Sequence, residues 1–444
     1  MLLSSFDEYF QNTSPLLDLA PVRDSWLALT PTYQAGDWIL PLPPWRHRPY
    51  SNSGEQAWTI LRRDLARAAT DKPFCIYLHA PFCSAKCGFC DNYSFKLGNQ
   101  QQEHITAYVD QLCAELRLWS QQGNLSQRPV STVHMGGGTP TFLGAAALEQ
   151  IAACCRECFA ISDETEWALE STAHDLTPEV IATMHQIGYR RLHIGVQTLE
   201  DAVRAAIGRR SRAGDVLNKI ESVLALGWVV SVDLICGLPG QTLDGFLAGI
   251  DHLIRIGVHG FSLYELLVYP QNQRWAARHG LVDPDRHQLN FWMFLAGAHL
   301  LEQRGFKKNL FNHWANEQDK NIYFTFPTRN EDLLAIGTIA DGIFGDYRYR
   351  HPRYADYLRS ASATSPGLEG GLLHNAYEKR LSPYVTDLLS ARGSTRFAAM
   401  VPQLMEIWHQ HGLITLQESG AFDLTPSGSW FTGNMIDEVY QQIR

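Results

Sequence analysis

Three cysteines lie close together in the segment APFCSAKCGFCDNYSF, with the spacing C-x3-C-x2-C. They are Cys83, Cys87 and Cys90, and the residues around them include the Pro, Gly, Ser and Asn that favour loops. Cysteines clustered in a loop are typical of a soft metal ion or an iron–sulfur cluster. Three thiolates can hold three irons of a cubane cluster and leave the fourth iron open to a further ligand. A zinc site is the alternative, with His79 as its fourth ligand.

The strands and helices predicted around this loop indicate where it lies in the fold. Six apolar segments have the character of strands, and segments with helical spacing of apolar residues separate them. This alternation requires a parallel sheet with helical crossovers, and six units suit a partial (β/α)6 TIM-like barrel, an α/β fold. The predicted strands are 75–80, 130–135, 166–170, 191–196, 229–236 and 260–266.

Residues with useful chemistry follow these predicted strands. Active sites of such barrels lie at the C-terminal ends of the strands, so these residues should meet in one place. After the cysteine loop of the first strand they are the GGGTP turn after the second, Glu170, Gln197, Asp233 and Tyr264.

The rest of the chain divides into three further parts. Residues 1–70 are rich in Pro and aromatic residues and predict an N-terminal arm on the barrel of residues 71–275. Residues 276–375 form a barrel extension and linker. Residues 376–444 alternate helix, two short strands and helix, which predicts a helical, winged-helix-like lid.

Composition narrows the class of protein. The 444 residues carry a net charge of −9, and 45% are hydrophobic, which indicates a substantial core and argues against a nucleic-acid partner. No apolar stretch suits a membrane span, and Asp7 and Glu8 make the N-terminus unlike a secretory signal. An odd count of nine cysteines argues against a disulfide framework. We therefore expect a cytoplasmic monomer.

Four motifs together resemble a known family: YLHAPFCSAKCGFC, HMGGGTPT, HIGVQTL and VDLICGLPGQT. They are similar to the radical S-adenosylmethionine (SAM) enzymes, in the branch named for oxygen-independent coproporphyrinogen III oxidase. The resemblance implies a [4Fe–4S] cluster on Cys83, Cys87 and Cys90, with SAM on the open iron, and a flavodoxin-like or ferredoxin electron donor. One-electron reduction would then cleave SAM to a 5′-deoxyadenosyl radical.

The same resemblance implies two SAM molecules side by side. Residues matched by motif to the cluster-bound SAM are Tyr77, Gly137 and Glu170. Those matched to the second SAM are Phe89, Gly138, Thr139, Gln197, Arg209 and Asp233. Glycines let backbone amides approach a ligand closely, and an arginine can pair with a carboxylate through two hydrogen bonds.

Two positions depart from the pattern. The oxidase has a fourth cysteine where this chain has Asn92, which argues against the oxidase reaction. The relatives' RxSxGVQ is RLHIGVQ here, so His193 replaces a serine. We expect His193 to be a core histidine whose hydrogen bonds are satisfied.

Later segments, including SLYELLVYP, NLFNHWAN and NEDLLAIGTIADGIFG, are similar to the anaerobic heme-degrading methyltransferases of this branch (anaerobilin synthases). The resemblance implies methyl transfer to an sp2 carbon of heme or another tetrapyrrole, with Tyr264, Glu265 and His313 as candidates for a base or proton relay. The alternatives are a methyltransferase or cyclopropane-forming enzyme acting on a natural-product scaffold, a heme chaperone, and the oxidase itself. Glu265 could also face outward, since strand neighbours alternate.

A second group of cysteines lies in ACCRECF. Cys154 and Cys158 are four residues apart on a predicted helix and share its face. A second metal site is conceivable there, but buried free cysteines on an amphipathic helix are the commoner case, and we favour it.

Overall fold

The computed structural model describes residues 3–11, 13, 15–29, 33, 38–283, 286–360 and 362–443. Its N-terminal arm packs aromatic rings on the outside of the barrel, where Phe6 and Trp26 both meet Trp292 edge to face. Helix α3 begins with a capping box, in which Ser53 and Gln56 each accept from the other's backbone. The arm contains α1 (Leu3–Phe10), α2 (Ala20–Ala28), β1 (Asn52–Ser53) and α3 (Gly54–Leu65).

The centre of the molecule is a run of six parallel strands, each joined to the next by helix. The predicted α/β partial barrel is confirmed, and the fifth strand has the predicted bounds. Both faces of these strands are buried, because helices cover one face and the barrel interior the other. The strands are β2 (Phe74–Ala80), β3 (Val130–Gly137), β4 (Glu166–Ser171), β5 (Arg191–Gln197), β6 (Val229–Cys236) and β7 (Gly260–Glu265).

The crossover helices lie on the outer face and carry their apolar residues inward. Helix α6 begins at Pro178 after the Thr177 cap and ends before Gly188, whose φ of 107° suits glycine. These helices are α4 (Gln101–Ser120), α5 (Ala145–Cys158), α6 (Pro178–Ile187), α7 (Asp201–Ala206), α8 (Ala213–Leu224) and α9 (Leu243–Arg255).

The sheet continues beyond both edges of the predicted barrel. Past β7, the order is β9 and then β8, both antiparallel to their neighbours. Past β2 it continues with β10, which pairs in parallel, and then with β11, β12, β13 and β1, which are antiparallel. These strands are β8 (Lys307–Leu310), β9 (His313–Ala315), β10 (Asp332–Ile336), β11 (Asp341–Phe344), β12 (Tyr347–Arg350) and β13 (Gly370–Leu373).

Helix α11 connects the barrel to the outer parts, because it is buried on nearly all sides. It packs on α9, β7 and α2, and its Phe291 and Phe294 contact Trp430 of the C-terminal unit. Among the described helices, none combines the length and apolar character that a bilayer span requires. The helices of this region are α10 (Gln273–Arg278), α11 (Arg286–Gln303), α12 (Ile322–Thr325) and α13 (Tyr354–Ser360).

The C-terminal unit combines helices with a three-stranded antiparallel sheet of order β14-β16-β15, as expected for a winged-helix-like unit. The helix predicted near 396–410 is interrupted before Pro402, giving α15 and α16. Among the described residues, those that line the three cavities near the cysteine loop come from the barrel, the arm, the segment after β7, α11 and α12. The expected lid position of the C-terminal unit is therefore not found at these cavities, where residues 38–40 of the arm lie instead. Its elements are α14 (Ala376–Leu389), β14 (Arg392–Gly393), α15 (Thr395–Met400), α16 (Pro402–Gln410), β15 (Ile414–Leu416), β16 (Phe422–Leu424), α17 (Pro426–Trp430) and α18 (Thr432–Gln442).

Candidate active site

The cysteine loop follows β2 and is held by contacts from distant parts of the chain. Asn272, which is buried, donates its side-chain amide to the carbonyl of Phe89 at 3.0 Å. A Cβ on Gly88 would lie 2.2 Å from the Trp275 indole nitrogen, so this ring packs directly against the loop backbone. Lys86 donates to the carbonyl of Asn92 at 2.6 Å and approaches the Cys90 Sγ at 3.7 Å. These contacts fix the loop before any ligand binds.

The three cysteines line one cavity of about 150 Å³, which we call the cysteine-loop cavity. All three thiols are half-buried, whereas the six other cysteines of the chain are buried. Eight of the nine residues predicted to contact SAM also line this cavity. They are Phe89, Gly137, Gly138, Thr139, Glu170, Gln197, Arg209 and Asp233.

The GGGTP turn brings backbone close to the thiols. The amide of Gly138 donates to Ala80 O at 2.7 Å, and the Thr139 hydroxyl lies 3.6 Å from the Cys83 Sγ. A Cβ on Gly138 would lie 2.6 Å from Phe82 O and 3.1 Å from that sulfur. Gly137 has a φ of 107°, a conformation that other residues rarely adopt. Only glycine allows this close approach of β3 to the loop.

Two buried polar atoms at the cavity have no hydrogen-bond partner among the described residues. They are the Oε1 of Gln197 and the Nε of Arg209, although buried polar atoms are nearly always paired. Gln197 also has a φ of 68°, which is strained for a residue other than glycine. Arg209 stacks over the Phe89 ring at 5.9 Å. Such unpaired, strained groups at the end of a strand indicate that a polar ligand completes them.

Glu170 joins the glycine turn to a layer of stacked aromatic rings. One of its oxygens lies 3.1 Å from His134 Nε2, and the other accepts from the Gly137 amide at 3.3 Å. The His134 ring stacks on Tyr323 with a centroid distance of 4.2 Å. Tyr77 belongs to the same stack, and its hydroxyl lies 3.0 Å from His79 Nδ1. The structure thus puts Tyr77 behind Glu170, outside the residues that line the cavity.

His79 does not join the cysteines. It is buried beneath Gly137, and burial lowers the pKa of His79 to about 4, so the ring is neutral. Among the described residues, no three Cys, His, Asp or Glu side chains converge as they would around a single metal ion. Three thiols spread around one cavity fit a multi-iron cluster better than a zinc ion.

His193 and Asp233 form a pair on the wall of the cavity. The His193 Nε2 lies 2.7 Å from an Asp233 oxygen, and its Nδ1 lies 2.9 Å from the Ser231 hydroxyl. Burial alone would lower the pKa of His193, but the charge and hydrogen bond of Asp233 outweigh burial and raise it. His193 is thus a buried histidine whose hydrogen bonds are satisfied, and it also lines the cavity.

A second cavity of about 390 Å³ adjoins the first and shares Phe89, Glu170, Gln197 and Asp233 with it, among others. We call it the aromatic cavity. Its walls are otherwise largely apolar or aromatic, as in most small-molecule sites. The other aromatic residues that line it are Trp38, Tyr264, Tyr269 and Phe324.

Two of the three candidates for a base line the aromatic cavity. Burial raises the pKa of Tyr264, so its hydroxyl is protonated and can donate a hydrogen bond. Glu265 is buried and does not face outward. Its oxygens accept from the Trp38 amide at 2.7 Å and from Asn290 at 2.9 Å, and one lies 2.6 Å from His287 Nδ1. With both oxygens engaged, Glu265 is placed to hold other groups in position.

His313 lies at the opposite end of the barrel interior. Its Nε2 is 2.9 Å from Asp319, its Nδ1 is 2.8 Å from the Ser262 hydroxyl, and Asp319 also pairs with Arg191. Burial lowers the pKa of His313. His313 therefore does not line the aromatic cavity with Tyr264 and Glu265, and it is connected to Tyr264 only through the Ser262 hydroxyl.

Sequence reasoning missed Trp38, Asn272 and His287. Trp38 lies in the arm, Asn272 lies in the connection after β7 and His287 lies near the start of α11, so no strand-end rule indicates them. The one available signal is the dense run of aromatic and polar residues in VYPQNQRW, directly after the last predicted strand.

Comparison with known proteins agrees with this geometry. The family model described as the radical SAM superfamily matches residues 77–253. The heme chaperone HemW of Mycobacterium tuberculosis is 29% identical over 305 residues, covering 67% of this chain and 77% of the relative. The anaerobilin synthase of Escherichia coli O157:H7 is 24% identical over 400 residues, covering 88% of each chain.

Among solved structures, coproporphyrinogen III oxidase (HemN) from Escherichia coli superimposes with a TM-score of 0.76 at 19% identity, covering 91% of this chain and 99% of the other. It therefore has the same fold. The half-buried thiols, the glycine turn and the unpaired Gln197 and Arg209 atoms suit a [4Fe–4S] cluster with SAM. Residues 77–253 are accordingly a radical SAM domain, and the chain is an enzyme whose cofactors are a [4Fe–4S] cluster and SAM.

Proposed function

We propose that this enzyme is a methyltransferase that uses two SAM molecules, one as radical source and one as methyl donor, and acts on an sp2 carbon of heme or another tetrapyrrole. The observation that carries the proposal is the pair of adjoining cavities, one polar at the cysteine loop and one aromatic. They place the residues assigned to the cofactors directly beside an aromatic wall that suits a flat substrate.

We assign the cluster to Cys83, Cys87 and Cys90, and the cluster-bound SAM to the turn and Glu170. When bound, the cluster and SAM supply reductive cleavage of SAM and abstraction of a hydrogen atom. The Glu170 carboxylate, already 3.3 Å from the Gly137 amide, has the charge to accept hydrogen bonds from an amino group. Tyr77 supports this assignment through the stack of His134 and Tyr323.

The second SAM is assigned to the part of the cavity lined by Gln197, Arg209 and Asp233, together with two residues of the glycine turn. Gln197 and Arg209 each carry a buried atom without a partner, and Arg209 can pair with a carboxylate through two hydrogen bonds. Asp233, held by His193, adds an acceptor for an amino or hydroxyl group. Phe89, Gly138 and Thr139 complete this side. The shared lining would keep the second SAM next to the aromatic cavity.

The tetrapyrrole is supported by the aromatic walls and by the similarity to a protein named anaerobilin synthase, which extends over 88% of both chains. The Tyr264 hydroxyl, protonated because burial raises its pKa, can donate a hydrogen bond or proton to substrate. A second candidate function, a heme chaperone, is favoured by the 29% identity to HemW. We take the methyltransferase because the similarity to anaerobilin synthase covers more of the chain.

The test is anaerobic turnover of the cluster-reconstituted enzyme with SAM, heme and reduced flavodoxin or ferredoxin. We expect equal amounts of 5′-deoxyadenosine and S-adenosylhomocysteine, with loss of heme, measured by mass spectrometry. SAM cleavage with intact heme would direct the search to natural-product scaffolds. Stable heme binding without SAM cleavage would establish the chaperone instead.

Arg209→Ala tests the second SAM site. We expect S-adenosylhomocysteine formation to fall at least about tenfold, since a lost charge-assisted hydrogen bond is worth about 1.5–3 kcal/mol. Formation of 5′-deoxyadenosine should fall less. Arg212→Ala is the matched control, because Arg212 is an exposed arginine on the same segment outside both cavity linings. Equal losses of both products would argue against two separate SAM sites.

A further inference from the structure

His193 lies on the wall that the cysteine-loop cavity and the aromatic cavity share. Besides Cys90, the titratable residues of the described structure that line both cavities are Glu170, His193 and Asp233. Glu170 is assigned above to the cluster-bound SAM. His193 and Asp233 are therefore the titratable pair at the place where the second SAM would meet the substrate.

The strand register explains how these two residues meet. His193 on β5 lies opposite Ser231 on β6, and Asp233 is two residues further along β6, on the same face of the sheet. The imidazole reaches both, with Nδ1 2.9 Å from the Ser231 hydroxyl and Nε2 2.7 Å from one Asp233 oxygen. The Asp233 side chain is 24% exposed, and because Asp233 lines both cavities, this exposed surface lies in them.

The partners of His193 suit both protonation states of its ring. In either state Nε2–H donates to the Asp233 carboxylate. The Ser231 hydroxyl already accepts from Arg191 at 3.0 Å, and it can either donate to Nδ1 of a neutral ring or accept from Nδ1–H of a charged ring. The Nδ1 proton can therefore leave without the loss of a hydrogen bond. A serine at position 193 has no such proton to hold.

The charges around His193 make the presence of this proton matter. Burial opposes the charged ring, but the charge and hydrogen bond of Asp233 outweigh burial and raise the pKa of His193. A charged His193 leaves its pair with Asp233 neutral, whereas a neutral His193 leaves a net negative charge at the cavity. The other charged or titratable groups that face His193 are Glu170 on β4, His134 on β3 and His313 on β9, the last two with pKa values lowered by burial, and Arg191 on β5, which is paired with Asp319.

We propose that His193 is a positioning residue for the second SAM and acts through Asp233 in two ways: it holds the carboxylate in place, and it gives up its Nδ1 proton when a sulfonium cation binds beside that carboxylate. The inference rests on the second SAM of the proposed function and adds the residue that sets its affinity. Because proton release and ligand binding are reciprocal, the second SAM should bind more tightly as pH rises.

The test is calorimetric titration of SAM into the cluster-loaded enzyme, without reductant or heme, from about pH 6 to about pH 9, on either side of the ordinary histidine value. We expect two binding events and assign to the second SAM the event that Arg209→Ala weakens. His193→Gln keeps an N–H donor for Asp233 but cannot titrate, and His193→Ser removes both properties. His409→Gln is the control, because His409 is an exposed histidine of the C-terminal unit outside both cavity linings.

Between the two ends of this pH range, the affinity of wild-type protein for the second SAM should rise at least about fivefold more than that of His193→Gln, the low end of coupling between two sites. At the high end His193→Gln should match wild-type protein. His193→Ser should bind at least about tenfold more weakly there, because a hydrogen bond to a charged group is lost. His409→Gln should follow wild-type protein throughout.

Proton release tests the same idea in wild-type protein alone, should the variants fail to fold. Calorimetry in buffers of different ionisation enthalpy should detect protons released with the second SAM that S-adenosylhomocysteine, which lacks the sulfonium charge, does not release. Absence of this release, or equal pH dependence in wild-type protein and His193→Gln, would overturn the role of His193 and leave the two-SAM function standing. Equal losses in His193→Gln and His193→Ser at every pH would show that the ring only shapes the wall. Binding of a single SAM by wild-type protein would overturn both proposals.

Discussion

The barrel interior contains two polar clusters, one at each end, and strand β5 contributes to both. At the rim, where the strands end, Gln197 and Arg209 each carry a buried polar atom that has no partner in the described part of the chain. At the floor, where the strands begin, Arg191, Asp319 and His313 are buried and bonded to one another. None of these three floor side chains has an unpaired buried atom in the described structure.

This difference distinguishes a cluster that can bind a ligand from a cluster that stabilises the fold. Buried polar groups are costly unless they are paired, so unpaired atoms beside a cavity suit a polar ligand, whereas a fully paired cluster needs none. The same contrast holds for the cysteines, because the loop thiols are half-buried at a cavity and Cys154, Cys155 and Cys158 are buried in the core. From its residue type, His313 was a candidate for the active site. Its hydrogen-bond partners in the structure, Asp319 and Ser262, place it in the floor cluster instead.

The largest effect is expected at the rim, from Cys87→Ala. This change should abolish formation of 5′-deoxyadenosine in cluster-reconstituted protein, because it removes a cluster ligand. The free energy of unfolding should stay within about 0.5 kcal/mol, since little core volume is lost. Iron content, product analysis and denaturant unfolding check these outcomes, with Cys154→Ala as the control that keeps cluster and activity. If Cys87→Ala still cleaved SAM reductively, the assignment of the cluster to these three cysteines would be wrong.

The floor should respond in the opposite way. Asp319→Ala leaves Arg191 buried without its partner, and breaking a buried pair in this manner costs about 3–5 kcal/mol. The double change Arg191→Met with Asp319→Leu should be less destabilising, because no charge is left buried. Denaturant unfolding of the three proteins measures this. If Asp319→Ala kept its stability and lost SAM cleavage, the floor would belong to the active site.

A smaller effect at the rim is expected from Gly138→Ala. The new Cβ would lie too close to Phe82 O and the Cys83 Sγ. Overpacking of this kind destabilises a protein by about 1–3 kcal/mol. We expect the KM for SAM to rise about tenfold, which corresponds to about 1.4 kcal/mol. Gly98→Ala is the control, since a Cβ there meets nothing within 4 Å. Equal KM values for the two variants would show that the turn has room for a side chain.

The sequence predicted the strands of the barrel closely, because buried parallel strands are continuous apolar runs with helices between them. Of the nine residues predicted to contact SAM, eight share the rim cavity with the cysteines, since strand ends meet at one edge. It missed what depends on distant segments meeting: β10 beside β2, Trp38 above Glu265, and Asp319 beside Arg191. No local pattern reports such pairings.

His193 lies between the two clusters, and the smallest effect is expected there. Its pKa is raised in the folded protein, because Asp233 outweighs the effect of burial. A raised histidine pKa stabilises the fold fully below the unfolded value of about 6.5, and this contribution is lost as pH rises through the folded pKa. His193→Ser puts the serine of the RxSxGVQ pattern at this position and removes the titrating group. The free energy of unfolding of the variant should therefore depend less on pH above about 6.5 than that of the wild-type protein. Parallel pH dependences for the two proteins would mean that His193 is neutral and that its bond to Asp233 is a rim contact like any other.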